Sequence, residues 1–361
     1  MKYILALLSF FSFFAGNTQL LTKTKNIFIV TIDGIRWQEI FKGANPAIIN
    51  STRYTSDVEL SKLMYLDSTA DLSRKKLLPF FWNVLAHNGQ LYGNRLYKNK
   101  VNVSNAYKFS YPGYNEMFTG YPDIYVRSNR KINNLNTNVL EYLNAFDEFK
   151  NKIAAFTSWD VLKYILNKDR NGLPIYSGYD SIAENNNLDL HIFNAAQQNL
   201  VAEKKDTRLD ALTFIAATEY IKINKPKVVF IGFGECDEDA HRGEYDQYLQ
   251  DLNEDDKMIQ QLWYFIQSTL EYKDKTTLII TTDHGRGRKF TKWLDHDGLI
   301  KGSGDAWLAV IGPDTQPLGE IQMPQQLYQK QIASTIAGFL GFHFTANHPV
   351  AKSIDFKTVK K

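Results

Sequence analysis

Four continuous apolar runs rich in β-branched residues constrain the fold of this chain more than any other feature. The runs cover 26–32, 227–233, 276–282 and 307–311, and a weaker candidate covers 152–156. Their length suits strands, and they lack the alternation of polar and apolar residues that a half-exposed strand shows. Strands of this kind are buried on both faces, as the central strands of a parallel sheet are.

Helical patterns lie between these runs. Apolar residues recur at helical spacing over 209–223 and 246–272, and Thr207 is the predicted N-cap of the first helix. The segments 129–138 and 171–187 are rich in Asn, Gly and Asp and are predicted loops. Strands that alternate with helices form a mostly parallel sheet with helices on both faces. The predicted fold class is therefore α/β.

The charge balance excludes some classes of partner. The 361 residues carry 42 basic and 39 acidic side chains, a formal net charge of +3. Such a near-neutral chain has no bias towards a nucleic-acid duplex or an anionic membrane. Cys236 is the single cysteine, so no internal disulfide can form, and we interpret it as a buried structural thiol rather than a metal ligand.

The N-terminal residues predict that the protein is exported from the cytoplasm. A basic start at Met1-Lys2, an apolar run over 4–15 and a small, polar exit over 16–19 are typical of a secretory signal peptide. We therefore predict a signal peptide at 1–19, a catalytic domain at 23–361 and a periplasmic or secreted location. The alternative is an uncleaved anchor or a buried strand. The run is too short to span a bilayer comfortably, and we predict no stable membrane span.

Three of the strand-like runs lead into an aspartate. These residues are Asp33, Asp237 and Asp283. In open α/β sheets, ligands bind outside the carboxyl ends of the strands, so the three carboxylates are expected to share one crevice. A lone aspartate after a strand is more typical of a turn or a helix cap, which is the alternative for each of them taken singly.

Histidines accompany these aspartates. His284 directly follows Asp283, and His241 lies four residues after Asp237, on the same face if the segment is helical. His296 lies in the loop 293–298 and, taken alone, is typical of a surface histidine. Carboxylate oxygens and imidazole nitrogens suit zinc or another borderline divalent ion.

Ser110 is the candidate nucleophile. It lies in 108–120, where Pro112 suits a first helical turn and Gly120 a helix end. Free amides and the helix dipole favour an anion at such an N-terminus. A metal ion on the hydroxyl oxygen would stabilise the alkoxide without a Ser-His pair. The alternative is that Ser110 is only an N-cap.

In this order, the motifs resemble the alkaline phosphatase superfamily, most closely its nucleotide pyrophosphatase/phosphodiesterase-like and phosphoglyceromutase-like members. The resemblance covers roughly 26–313 and is carried by 32–34, 110–113 with 119–120, 237–241, 282–285 and His296. It implies a three-layer sandwich with a mostly parallel central sheet, helices on both faces and a small inserted cap. We predict the cap insertions near 39–78 and 123–187.

The resemblance also implies roles for individual residues. It assigns one ion to Asp237, His241 and His296, and a second ion to Asp33, Asp283, His284 and the Ser110 oxygen. Two divalent ions about 4 Å apart are implied, zinc first and manganese or another ion as the alternative. Tyr111 and Asn134 are the implied substrate contacts, with Asn129 and Asn133 as alternatives to Asn134.

The implied activity is hydrolysis of a small phosphate ester through a phosphoserine intermediate, with a phosphatase as the first expectation. A phosphodiesterase, nucleotide pyrophosphatase or phosphonate hydrolase with the same site is one alternative. A catalytically silent protein that binds phosphate ligands is another. Sulfatase activity is not expected, because Ser110 is followed by Tyr-Pro-Gly-Tyr and lacks the arginine of the sulfatase motif.

Residues next to these motifs have two interpretations each. Trp37 is expected in the core and Arg36 in a surface ion pair, although both could line the substrate site. Arg286 and Arg288 follow the Asp283-His284 pair and either attract phosphate or are solvated loop arginines.

Overall fold

The structure is a computed structural model that describes residues 22–183, 187–200 and 206–356. The predicted signal peptide at 1–19 lies outside the described residues. Among the helices of the described ranges, none combines the length and the apolar character that a membrane crossing needs.

Strands and helices alternate along the described chain. The strands are β1 (Asn26–Ile32), β2 (Gln90–Tyr92), β3 (Asn99–Asn102), β4 (Ile153–Thr157), β5 (Ile175–Ser177), β6 (Val228–Phe233), β7 (Thr276–Thr281), β8 (Asp305–Ala306), β9 (Leu308–Ile311), β10 (Gly319–Glu320) and β11 (Gln325–Tyr328). The helices are α1 (Trp37–Lys42), α2 (Pro46–Ile49), α3 (Val58–Tyr65), α4 (Ala70–Leu77), α5 (Ala86–Asn88), α6 (Ser110–Thr119), α7 (Val139–Asn144), α8 (Leu162–Ile165), α9 (Lys168–Asn171), α10 (Leu188–Leu200), α11 (Asp210–Asn224), α12 (Glu235–Arg242), α13 (Tyr245–Ser268) and α14 (Ile332–Phe339). A π-helical stretch covers Phe81–Leu85, and 3-10 turns cover Arg95–Tyr97 and Gln329–Gln331.

The main sheet has eight strands in the order β10-β2-β9-β7-β1-β6-β4-β5. The five strands from β7 to β5 are parallel, whereas β9 is antiparallel to both of its neighbours. A smaller sheet has the order β11-β3-β8. The expected mostly parallel α/β sheet is confirmed.

Helices cover both faces of this sheet, because its central strands are apolar on both sides. Along β1, Phe28 and Val30 face one core, which includes residues of α1, α11 and α13. Ile27 and Ile29 face a second core, which includes residues of α6, α7 and α14. The three-layer sandwich is thus confirmed, with β1 at its centre.

Several local predictions need correction. Thr207 does not cap α11: Leu209 is the N-cap residue, with no side-chain cap bond, and the Thr207 hydroxyl donates to Glu238. The predicted loop 171–187 contains β5. This strand has only three residues, too few to stand out as an apolar run in the sequence. The run 307–311 forms β9, but as an antiparallel strand that starts at Leu308.

The two predicted cap insertions fold differently. The segment 39–78 folds into short helices beside the core, and α4 contacts both α1 and α13. The segment 123–187 supplies β4 and β5 to the main sheet, so this part of it is not a cap. The cap remains a prediction for the other residues of these two segments.

Phe230 joins the sheet to the helix that carries Ser110. Its ring lies 4.6 Å from that of Phe118 and 6.2 Å from that of Tyr114, and it is fully buried. We expect Phe230→Ala to lower the free energy of unfolding by about 4 kcal/mol, because it leaves a cavity between the two layers. Leu270→Ala is the control, since Leu270 is 82% exposed. Guanidinium unfolding followed by circular dichroism measures both, and equal losses would contradict the prediction.

Candidate metal centre

The strand order brings the three predicted aspartates together. Strand β1 lies between β6 and β7, with Ile32 paired to Phe233 and Thr31 paired to Thr281. These strands are parallel, so the residues that follow them lie at the same edge of the sheet. Asp33 follows β1, Asp283 follows β7, and Asp237 lies in the first turn of α12 after β6.

The first cluster of side chains contains Asp237, His241 and His296. The Nε2 atoms of His241 and His296 are 3.0 Å apart. Asp237 places Oδ2 3.2 Å from Nε2 of His241 and Oδ1 3.7 Å from Nε2 of His296. The three predicted ligands of one ion therefore converge, with His241 on the solvent side.

The second cluster contains Asp33, Asp283 and His284, together with Ser110. Nε2 of His284 lies 3.4 Å from Oδ1 of Asp33 and 3.4 Å from Oδ2 of Asp283. The Ser110 hydroxyl is 3.3 Å from the same nitrogen. His284 and His296 stack with ring centroids 3.8 Å apart, so the two clusters adjoin.

These separations fit tetrahedral coordination. Zinc binds nitrogen and oxygen at about 2.0–2.1 Å, which places neighbouring ligand atoms of a tetrahedron about 3.3 Å apart. Separations of 3.0, 3.2 and 3.7 Å in the first cluster and of 3.3, 3.4 and 3.4 Å in the second lie around that value. The distances are thus of the size that zinc ligands show, although Asp237 faces His241 through Oδ2 and His296 through Oδ1, and Oδ1 also accepts from Arg286.

Backbone carbonyls orient two of the imidazoles. Nδ1 of His284 lies 3.0 Å from the Gly285 carbonyl, and Nδ1 of His296 lies 3.2 Å from the Lys108 carbonyl. A proton on each Nδ1 satisfies these contacts and leaves the Nε2 lone pair facing the cluster. Burial lowers the pKa of both rings, to about 4 for His296, so both stay neutral.

The carboxylates differ in their electrostatic surroundings. Burial, and then the neighbouring carboxylates, raise the pKa of Asp33 well above its usual value and that of Asp283 to about 8. Oδ1 of Asp33 and Oδ2 of Asp283 accept no hydrogen bond from any described residue. Burial alone would also raise the pKa of Asp237, but the guanidinium of Arg286 holds it well below its usual value.

Ser110 begins α6, after Phe109 in the N-cap position. The helix packs directly against the Asp283 segment, because a Cβ on Gly113 would lie 2.6 Å from the Asp283 carbonyl. Buried Glu116 fixes the other side of the helix by accepting from the backbone amides of Ser104, Asn105 and Lys330. The serine is thus held by contacts on both sides of its helix.

The loop that carries His296 is fixed by an aromatic cluster. Trp293 is fully buried, and its ring lies edge-on to the rings of Tyr54, Tyr245 and Tyr248, at 5.0 to 5.7 Å between centroids. Sequence reasoning missed this anchor, since the four aromatic residues come from three distant segments.

The predicted substrate contacts are placed differently. The Tyr111 hydroxyl donates to the Ile132 carbonyl, and the Asn134 amide donates to the buried Asn115, so both side chains have partners within the protein. Of the three candidate asparagines, Asn129 is the one with a hydrogen bond to the residue next to Ser110. Its Oδ1 accepts a 3.0 Å hydrogen bond from the Tyr111 amide, next to Ser110.

The arginines also depart from the expectations. Arg36 is buried in an ion pair with Glu39, not paired at the surface, whereas Trp37 is buried as expected. Arg286 is buried and pairs with Asp237, so it is not a solvated loop arginine. Arg288 is more exposed and forms a two-pronged pair with Asp305.

Replacement of Glu116 tests how the helix that begins at Ser110 is held. We expect Glu116→Ala to lower the free energy of unfolding by about 3 kcal/mol, because it leaves buried backbone amides without an acceptor. Glu59→Ala is the matched control, since that side chain is 84% exposed, and its effect should stay within about 0.5 kcal/mol. Chemical unfolding of the two variants compares them, and an unchanged Glu116→Ala protein would refute the assignment.

Comparison with known proteins supports the fold. The sequence matches no family model and no curated protein. Solved structures are similar over most of the chain. The alkaline phosphatase PafA has a TM-score of 0.59 at 10% identity and covers 93% of this chain and 99% of its own. The lipoteichoic acid synthase LtaP from Listeria monocytogenes has a TM-score of 0.53 at 13% identity, with 92% and 74% covered.

A phosphonate monoester hydrolase of Agrobacterium radiobacter has a TM-score of 0.53 at 11% identity, with 91% of this chain and 76% of that chain covered. At such low identities the likeness concerns the fold. The chain therefore has the fold of the alkaline phosphatase superfamily.

Proposed function

We propose that this protein hydrolyses phosphate esters through a phosphoserine intermediate on Ser110, in a site that holds two divalent ions. The observation that carries the proposal is at His284. A neutral imidazole directs a lone pair at two buried carboxylate oxygens and a serine oxygen, all at 3.3 to 3.4 Å. A bound cation would supply the counter-charge that no described arginine or lysine gives to Asp33 and Asp283.

The donor atoms suit zinc-like ions. Asp33, Asp283, His284 and the Ser110 oxygen would hold one ion, and Asp237, His241 and His296 would hold the other. When bound, such ions supply positive charge that lowers the pKa of a coordinated hydroxyl and stabilises phosphoryl oxygens. Zinc is the first expectation, because the donors are nitrogen and carboxylate oxygen.

His284 is a poor candidate for a general base, although its Nε2 lies 3.3 Å from the Ser110 hydroxyl. Burial lowers the pKa of its imidazole well below the usual value. A base of such low pKa is weak at removing the proton from a serine hydroxyl. This argues for activation of Ser110 by an ion rather than by a Ser-His pair.

The bond-forming and bond-breaking steps take place at the Ser110 oxygen. The hydroxyl releases its proton to solvent and its oxygen forms a bond to phosphorus as the bond to the leaving alcohol breaks, and the leaving oxygen takes a proton from solvent. Water then attacks the phosphoserine, releases phosphate and restores the hydroxyl. In the first turn of α6, Pro112 has no N–H and the amides of Tyr111 and Gly113 already bond Asn129 and Phe109, so the helix dipole rather than a set of free amides would favour a phosphoryl group at Ser110.

A cleft next to the nucleophile suits a small ester. It measures about 190 Å³, and its lining includes Tyr111, Arg130, Asn133 and Asn134. Asn129 is not part of that lining, but it bonds the Tyr111 amide, next to Ser110. We propose Asn129 as a contact of a bound phosphoryl group on the strength of that bond, with Asn134, which lines the cleft, as the alternative.

Replacement of the nucleophile tests the proposal directly. Ser110→Ala should lower turnover of p-nitrophenyl phosphate by about 10³-fold or more while the metal content stays near two ions per chain. Ser268→Ala, on the exposed end of α13, is the control and should keep full activity. Full activity in Ser110→Ala would remove this serine from the mechanism.

Metal removal and substrate choice separate the rival functions. Chelation should abolish turnover and zinc should restore it, because Asp33 and Asp283 would lose their counter-charge. Initial rates should be higher on p-nitrophenyl phosphate than on bis-p-nitrophenyl phosphate. The reverse order would indicate a diesterase, and metal binding without turnover of either ester would indicate a binding protein.

A further inference from the structure

Arg286 is fully buried between the two clusters, yet it is not one of the predicted ligands. Its Nη1 donates to Oδ1 of Asp237, its Nε donates to the Trp293 carbonyl at 2.8 Å, and its Nη2 donates to the Leu294 carbonyl. One guanidinium therefore holds a carboxylate on α12 and two carbonyls of the loop that leads to His296.

These contacts join segments that are far apart in the chain. His241 and His296 are separated by 55 residues, and Arg286 contacts both α12, through Asp237, and the 293–296 loop, through two carbonyls. Arg286 itself follows His284 by two residues, in the segment after β7. It thus ties the first cluster to the strand end that carries the second.

The neighbouring backbone leaves room for this arrangement. Gly34, directly after Asp33, has φ +63°, and a Cβ there would lie 2.8 Å from Nη1 of Arg286 and closer still to Oδ1 of Asp237. A side chain at position 34 would separate the guanidinium from the carboxylate. The glycine of the Asp33-Gly34 pair is therefore required by the Arg286 contact as well as by its own backbone conformation.

The contact between Arg286 and His241 does not support a role for Arg286 in binding His241. Nη2 of Arg286 lies 3.3 Å from Nδ1 of His241. An imidazole that binds an ion through Nε2 carries its proton on Nδ1, and a guanidinium has only donors. The role of Arg286 rests on Asp237 and on the two carbonyls.

We propose that Arg286 is a positioning residue for the first ion: it fixes Asp237 and the 293–296 loop so that Asp237, His241 and His296 converge. This rests on the proposed function, since it takes an ion to lie between those three side chains. Outer partners of metal ligands set ligand orientation, and their loss typically weakens metal binding by about 10–100-fold. The positive charge of Arg286 repels a cation, so the proposal requires that orientation outweigh this repulsion.

The planar fork of arginine is central to this role. Lysine keeps the charge but presents one ammonium centre, which cannot reach the carboxylate and both carbonyls in their fixed directions. Methionine fills similar space with neither charge nor donors. The two replacements therefore separate charge from geometry.

The experiment measures metal affinity rather than turnover. Wild type, Arg286→Met, Arg286→Lys and the control Arg288→Met are stripped of metal and titrated with zinc against a chromophoric chelator. Cobalt absorption in the visible range reports the coordination of each ion, and circular dichroism verifies folding. We expect one of two zinc ions to bind about 10–100-fold more weakly in both Arg286 variants, with an altered cobalt spectrum, and no change in Arg288→Met.

The outcomes separate this inference from the proposed function. A wild-type protein that binds neither zinc nor cobalt would overturn the proposed function. Two wild-type affinities in Arg286→Met, or tighter binding, would overturn the positioning role alone. If Arg286→Met does not fold, Arg286→Lys decides, because wild-type affinity in that variant would show that charge suffices and geometry does not matter.

Discussion

Three buried carboxylates at adjacent strand ends are the constraint on which the rest of the site depends. Removing a carboxylate from water costs several kcal/mol, and mutual repulsion adds to that cost. Among the described residues, Arg286 contacts Asp237, but no arginine or lysine contacts Asp33 or Asp283. The neutral imidazole of His284 cannot supply the missing charge. Cations would stabilise this arrangement, and the neighbouring imidazole and serine atoms lie at ligand-like separations from it.

The fold tolerates such a cluster because its centre is rigid. Strand β1 is paired on both sides over 27–31 and buried in two apolar cores. The strand ends therefore have little freedom to move apart and relieve the repulsion. Local backbone features complete the geometry, since Gly34 admits the Asp237-Arg286 contact and Gly113 admits helix α6 against the Asp283 segment.

Ser110 and the first cluster are held by different means. Ser110 begins a helix that packs in the core on one face of the sheet, with Glu116 accepting from three backbone amides. His296 lies on a loop without regular secondary structure, and Trp293 and Arg286 fix that loop from the other face. Both anchors are buried, so the two halves of the site meet at the strand ends with few degrees of freedom.

The sequence alone indicated the strands β1, β4, β6, β7 and β9, the aspartates that follow three of them, the Ser110 helix and the set of candidate ligands, but not the short strands β2, β3, β5, β8, β10 and β11. The features that it indicated are local properties: apolar runs, residue spacing and turn residues. The contacts of Arg286 with Asp237, the bond between Asn129 and the Tyr111 amide, the burial of Arg36 and the antiparallel direction of β9 were decided by tertiary structure. Each depends on which distant segments pack together, as with Arg286 and Asp237, and local sequence patterns carry no record of such contacts.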